Sequence, residues 1–284
     1  MKEKPCLIRE ISYRYILYFC RMNNSGFVHG QDSSNDYDGP MIAVAQGTIS
    51  EGFIVRHHGR RMFVKRLRSE FMSEPRCRSA FEKEFEMGYS LEHPGIVRYY
   101  ELREHSGSVE ILMELIEGEN LATFIEKHGD YFRKMANFQR FVSQLASVID
   151  YLHCHGIVHL DLKPENIMLT RISKSVKVID LGLGMSDMFC DSKGGSPLTS
   201  APEVMSGEGR ITSSADIYSI GVIMEYIRAN GGCKMPEILK IIARCKSAIP
   251  ECRPAFAGDI VTELKNAVRH KKIIVGGLLQ FCYP

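Results

Sequence analysis

The chain has 284 residues, 44% of them hydrophobic and 25% charged, with a formal net charge of +2. That is enough for one large domain or two small lobes, and the charge is too balanced for a nucleic-acid binder. The nine cysteines include no CxxC pair, which excludes a zinc ribbon and a disulfide framework and reads as reduced thiols in a cytoplasmic setting.

The opening apolar run, Leu7 to Met22, carries Arg9, Glu10, Arg14 and Arg21 and is too short and too charged for a membrane span or signal peptide. Ile11, Tyr13, Tyr15, Leu17 and Phe19 alternate as on a strand face, while Ile8, Ile11, Tyr15, Tyr18 and Met22 fit a helical stripe. A strand is the expectation, packed against the rest of the chain or serving as a docking arm for a partner. Asn23 to Pro40, rich in Asn, Asp, Ser and Gly, is expected as a linker.

A first strand is expected at Met41 to Ala45. Gly47-Thr48-Ile49-Ser50-Glu51-Gly52 comes after it, a glycine-spaced loop of the kind whose backbone N–H groups can approach phosphates. Next comes the apolar strand Arg61 to Leu67, with Lys65 in it. Taken alone, a plain hairpin and a solvated lysine account for both. The spacing predicts a helix from Pro75 to Leu91, with Phe81, Phe85 and Leu91 on its apolar side and Glu84 a turn from Phe81. Two strands, Val97 to Glu104 and Val109 to Leu115, come after it, and Met113 reads by itself as a core methionine.

Asn137 to Gly156 is the clearest helix. Phe138, Phe141, Val142, Leu145, Val148, Ile149 and Leu152 form its stripe, with Asn137 as N-cap and Gly156 just past its end. It delivers the chain to Ile157-Val158-His159-Leu160-Asp161-Leu162-Lys163-Pro164-Glu165-Asn166-Ile167-Met168-Leu169. Here an acid, a base and an amide fall within six residues, between two apolar runs expected as short buried strands. Phosphoryl transfer needs such a set: a carboxylate to orient a hydroxyl, a cation near the transferred group, and an oxygen ligand for Mg²⁺.

This stretch resembles the H-R-D-L-x-x-x-N catalytic loop of the eukaryotic-type protein kinases. Other stretches match in the family's order. Gly47 to Gly52 resembles the glycine-rich loop, with Ile49 for its middle glycine, and Arg61 to Leu67 resembles the V-A-I-K strand. His93-Pro94-Gly95-Ile96-Val97 resembles H-P-N-I-V, which singles out Glu84 on the preceding helix. Met113-Glu114-Leu115-Ile116-Glu117-Gly118 resembles the segment joining two lobes. Val176 to Gly182 resembles the D-F-G element with Leu181 for Phe, and Gly195 to Glu203 resembles the close of the activation segment, its Glu203 paired with Arg253. Asp216 to Val222 resembles the start of the large lobe's central helix, with Asp216 holding the catalytic-loop backbone.

The resemblance covers residues 41 to 268 and implies an α+β, two-lobed protein kinase fold: a small β-rich N-lobe with one helix and a larger, mainly helical C-lobe. The implied divisions are an extension and linker over 1–40, the N-lobe over 41–116, the C-lobe over 117–270, and an apolar tail over 271–284 that packs on its own lobe or makes a self-contact. The implied activity is transfer of the γ-phosphoryl group of ATP, with Mg²⁺, to a Ser or Thr hydroxyl of a protein. Asp161 would orient that hydroxyl and accept its proton, and Lys163 would neutralise charge on the γ-phosphate. Asn166 and Asp180 would hold Mg²⁺, and Lys65, paired with Glu84, the α- and β-phosphates. Gly47 and Gly52 would line the phosphates, with Met113 behind the adenine and main-chain groups of Glu114 and Ile116 at its edge.

Three departures matter. Leu160 replaces the arginine that meets an activation-loop phosphate in phosphorylation-switched kinases, so activity independent of that switch is expected despite Ser186, Ser192, Ser196 and Thr199. Gly88 stands where a large apolar residue ties the Glu84 helix to the catalytic core, so Glu84 is expected to need another support. Only Ala229 to Met235 separates the central helix from the next one, where family members carry a docking helix. The alternative is a pseudokinase acting as a nucleotide-binding scaffold or a partner-binding module, favoured by Ile49 and Gly88. The complete set Lys65, Glu84, Asp161, Asn166 and Asp180 favours catalysis.

Overall fold

A computed structural model describes residues 37–47, 49–105, 107–181, 199–207, 211–232 and 236–280. The expected strand over 7–22, most of the expected linker, Gly182, Gly195 to Leu198 and the serines Ser186, Ser192 and Ser196 lie outside the described residues. The described residues form two compact units: residues 37–92 with Val97–Glu117, and His93–Ile96 with residues 118–280.

The first unit is a five-stranded antiparallel sheet in the order β1-β2-β3-β5-β4 with one α-helix. Its strands are β1 (Ile42–Gln46), β2 (Ser50–His57), β3 (Arg60–Leu67), β4 (Tyr99–His105) and β5 (Ser108–Glu114), and α1 is Pro75–Ser90. Alternation along the strands divides the sheet into two faces. One carries Val55, Val64 and Leu112, buried together under Tyr37, Met41, Phe53 and Met62. Among them lies Glu110, fully buried, which accepts from the Tyr37 hydroxyl at 2.5 Å and from Arg66 Nε at 2.7 Å, with Arg103 Nε at 3.4 Å. A buried carboxylate requires such partners, and the two guanidiniums offset its charge. Burial, reinforced by Glu110, pushes the Tyr37 phenol well above its ordinary pKa.

The second unit has a three-stranded antiparallel sheet, β6 (Gly118–Asn120), β7 (Ile167–Thr170) and β8 (Val176–Val178). Its helices are α2 (Leu121–Lys127), α3 (Met135–Cys154), α4 (Pro202–Ser206), α5 (Ser214–Asn230), α6 (Pro236–Cys245) and α7 (Ala257–Gln280). The α3 stripe is buried throughout, from Phe138 to Leu152, each side chain contributing ~1.5–3 kcal/mol of gross burial. Its start differs from the expectation. The helix begins at Met135, and Asn137, already inside it, donates its side-chain amide to Tyr131 O rather than capping. Gly156 does close it, with φ +73° and the Ile157 N–H returning to Leu152 O at 3.0 Å.

Of the two apolar runs flanking the catalytic stretch, only the second forms a strand, β7. Helix α5 is buried on most sides, with Ile217, Ile220, Ile223, Met224 and Ile227 inaccessible. From α3, Asp150 caps α7, accepting from the Ala257 and Gly258 N–H groups at 2.8 Å each. Helix α5 ends at Asn230 and α6 begins at Pro236, so only residues 231–235 join them. Helix α7 continues in backbone through Gln280, taking in residues 271–280. Among the described residues no helix is long and apolar enough to cross a membrane.

Candidate active site

The second unit gathers the polar residues of the catalytic stretch around one carboxylate at the head of α5. Asp216 is completely buried and accepts from the backbone N–H groups of His159 at 2.8 Å and Leu160 at 2.9 Å. His153, in the last turn of α3, places Nε2 2.8 Å from the same carboxylate. Burial works to raise the Asp216 pKa, but the His153 contact and the backbone N–H groups outweigh it and hold the carboxyl below its ordinary range.

Those two backbone bonds hold Leu160 in an unusual conformation, with φ +63°. For a leucine this costs ~1–2 kcal/mol. The side chain is buried with Ala201, Val204 and Ala215, against Val158, Ile211 and Tyr218. Just past it, Asp161 is turned so that Oδ2 accepts from Lys163 Nζ at 2.5 Å and Asn166 Nδ2 at 3.0 Å. Asn166 Nδ2 also donates to Asp161 O at 2.9 Å. The amide nitrogen is therefore engaged with Asp161, and the carbonyl oxygen is the Asn166 atom that suits a hard cation. The Ile179 N–H donates to Asn166 O at 2.9 Å, bringing the chain at Asp180 next to Asn166. Asp180 itself has φ +67°, and Leu181 after it is fully buried. Asp161, Lys163 and Asn166 thus meet directly, with Asp180 one residue beyond the backbone link.

Glu203 and Arg253 are joined by two bonds, Nη1–Oε1 at 2.6 Å and Nη2–Oε2 at 2.8 Å. Arg253 also donates to Ser214 O and Ser247 O, and its guanidinium lies over the Tyr218 ring. This is a bidentate, stacked use of arginine that a lysine cannot reproduce.

In the first unit, Lys65 Nζ lies 2.8 Å from Glu84 Oε1 and 2.7 Å from Oε2. Glu84 is 3% exposed. Met113 is buried, and the Glu114 N–H donates to Arg98 O at 2.8 Å. Ile116 is half-buried in the segment after β5. At the glycine-spaced loop, the Gly47 N–H donates to Ser50 O at 2.6 Å. A Cβ on Gly52 would stand 2.6 Å from the Phe63 ring and 2.9 Å from Ala45 Cβ, so packing against these two side chains by itself accounts for glycine there.

Sequence reasoning missed two contributors. His153 carried a weak signal, a polar ring in the last turn of an otherwise apolar helix. Tyr99, whose hydroxyl donates to Glu84 Oε1 at 3.2 Å, carried none.

Comparison with known proteins converges on one family. The model for the protein kinase domain matches residues 43–233. The chain is similar to a probable serine/threonine-protein kinase of Dictyostelium discoideum, 29% identical over 253 residues, covering 84% of this chain and 30% of that protein. It is similar to sucrose non-fermenting protein kinase 1 of Fusarium virguliforme, 33% identical over 191 residues, with 64% and 27% covered. The serine/threonine-protein kinase kin-29 of Caenorhabditis elegans is 37% identical over 159 residues, with 55% and 19% covered. The chain spans less than a third of the length of these relatives.

Proposed function

Since the chain belongs to the protein kinase domain family, we propose that it transfers the γ-phosphoryl group of Mg-ATP to a serine or threonine hydroxyl of a protein substrate in a cytoplasmic setting. The observation that carries this reading is the Asp161 carboxylate, held by Lys163 at 2.5 Å and Asn166 at 3.0 Å on a loop anchored to buried Asp216. Asp161 orients the acceptor hydroxyl and takes its proton, and Lys163 places positive charge where the transferred group's charge builds up. Asn166 Oδ1 and the Asp180 carboxylate are hard oxygen donors, the type Mg²⁺ takes when it keeps water and phosphate as its other ligands. Bound Mg²⁺ supplies charge neutralisation at the β- and γ-phosphates.

Lys65, steadied by Glu84, binds the α- and β-phosphates, with Gly47 and Gly52 beside them. Met113 and the main chain of Glu114 and Ile116 receive the adenine. Lysine two residues after the catalytic aspartate and the names of the relatives support serine and threonine as acceptors. The buried packing of Leu160 on Ala201 and Val204 supports activity without activation-loop phosphorylation, because apolar contact does there what a phosphate–arginine pair does elsewhere.

The test is incorporation of label from ATP into generic protein substrates, wild type beside Asp161→Asn. Phosphoserine or phosphothreonine from the wild type, reduced ~10²–10⁴-fold in the variant, is expected. No incorporation by the wild type overturns the reading. Replacing Ser186, Ser192, Ser196 and Thr199 together by alanine is expected to leave activity in place; its loss in a folded protein overturns phosphate independence. A second reading, a pseudokinase acting as a nucleotide-binding scaffold or partner-binding module, is favoured by Ile49 in place of the middle glycine of the phosphate loop. No transfer of label by a folded wild type, with or without ATP binding, decides for it.

A further inference from the structure

Helix α1 is thinly anchored. Only Phe81, Glu84 and Gly88 are buried along its 16 residues, and one of these has no side chain. The surface above Gly88 is nevertheless filled. A Cβ built there would stand 2.3 Å from Tyr99 Cδ2, 2.4 Å from Cε2 and 2.6 Å from Cγ. Real atoms do not approach so closely, so a side chain at position 88 and the ring of Tyr99 exclude one another.

Tyr99 is 3% exposed and sits at the first position of β4, opposite Met113 and beside a register irregularity between Tyr99 and Glu101. The neighbouring Arg98 carbonyl accepts from the Glu114 N–H at 2.8 Å, fixing this end of β4 to β5. From that base the ring passes over Gly88 and its hydroxyl donates to Glu84 Oε1 at 3.2 Å. The same oxygen accepts from Lys65 Nζ at 2.8 Å. A phenol O–H donating to an ionised carboxylate is a charge-assisted bond, stronger than a neutral one. The ring thus supplies bulk that the helix lacks, and the hydroxyl supplies an aimed contact that an aliphatic side chain on the helix could not make.

We propose that Tyr99 is a positioning residue for nucleotide binding: it replaces the missing side chain at Gly88 from the sheet side and fixes the Glu84 carboxylate that orients Lys65. This rests on the reading that Lys65 binds ATP phosphates. Tyr99 itself touches neither nucleotide nor substrate, so removing its hydroxyl should reach the phosphates only through Glu84 and Lys65.

The test compares the affinities of the wild-type chain, Tyr99→Phe, Lys65→Met and the double variant for Mg-ATP and for adenosine, with thermal unfolding as the check of fold. Tyr99→Phe keeps the ring over Gly88 and is expected to fold normally. It should weaken Mg-ATP ~3–10-fold, the part of a charged hydrogen bond that is passed on through a neighbour, and leave adenosine unchanged. In the Lys65→Met background the same change should have no further effect, the non-additivity of residues acting through one group. If Tyr99→Phe binds Mg-ATP as wild type does while Lys65→Met loses it, the positioning role is overturned. Equal loss of ATP and adenosine also overturns it, leaving a merely structural tyrosine. If Lys65→Met binds Mg-ATP normally, the nucleotide reading of Lys65 is what fails. A companion variant, Gly88→Leu, should lower the melting temperature unless Tyr99→Ala is made with it.

Discussion

Leu160 offers a test in which two effects of similar size oppose each other. Its side chain is 7% exposed within a small cluster. Truncation to alanine should cost roughly 2–3 kcal/mol, the low end for a buried leucine because the cluster is partly open. At most positions glycine would be worse than alanine by a further ~0.5–1 kcal/mol, through the entropy of the unfolded chain. At φ +63° the order should reverse. Leu160→Ala keeps the left-handed strain of ~1–2 kcal/mol, whereas Leu160→Gly releases it. The balance places Leu160→Gly level with Leu160→Ala or up to ~1.5 kcal/mol more stable. Urea unfolding followed by circular dichroism, on both variants and wild type, measures the difference. A glycine variant ~1 kcal/mol less stable than the alanine variant would refute the reasoning, since the backbone at 160 would then not be held at positive φ by Asp216.

Glu110→Gln should destabilise the first unit by roughly 2–3 kcal/mol, since Arg66 and Arg103 lose the buried charge that offsets theirs; calorimetry with a melting temperature within a degree of wild type would contradict this. Acid should destabilise the fold in two stages. His93 is held below its ordinary pKa by burial and then by Lys177, so the unfolded chain takes up its proton first and stability starts to fall below about pH 6.5. Asp216 and Glu203 are also held low, against burial, by His153 and Arg253. Their contribution is intact above the ordinary carboxylate range and is lost as pH falls through their lowered values. Asp216→Asn should flatten the acid limb of a melting-temperature-against-pH curve, and curves that stay parallel would count against the assignment. Burial pushes the Cys245 thiol up to about 12, whereas Cys154 and Cys252 are exposed. Mass spectrometry after brief alkylation of the native protein should find the latter two modified and Cys245 spared.

How far the site was legible depends on how local its bonds are. Asp161, Lys163 and Asn166 bond to one another within six residues, so spacing alone brought them together. Lys65 and Glu84 are 19 residues apart, and no local pattern pairs them: by itself Lys65 reads as a solvated lysine, and only the resemblance of Arg61 to Leu67 and of His93 to Val97 to the kinase motifs singled out the two residues. The start of α3 was misjudged for a local reason. A tight turn over Tyr131–Arg133 runs into it, and the Lys134 carbonyl already accepts from Asn137 N and Phe138 N, leaving Asn137 no cap to make. The Glu110 cluster was illegible because its bonds span 73 residues to Tyr37 and 44 to Arg66, and strand register, which no local pattern states, decides which side chains share its face.

Gly88 shows why such omissions change conclusions. Counted along the helix alone it is a loss of ~1 kcal/mol and of one anchoring side chain, and it argues for a weakened Glu84. The compensating ring sits on a different strand, at a register irregularity beside the Arg98–Glu114 link, and it fits only because position 88 is empty. A substitution that looks like decay in one element is therefore half of a pair, and the pair adds a hydroxyl contact to Glu84 that a leucine at 88 would not provide. Restoring a large residue at 88 should accordingly harm this protein unless Tyr99 is cut back with it.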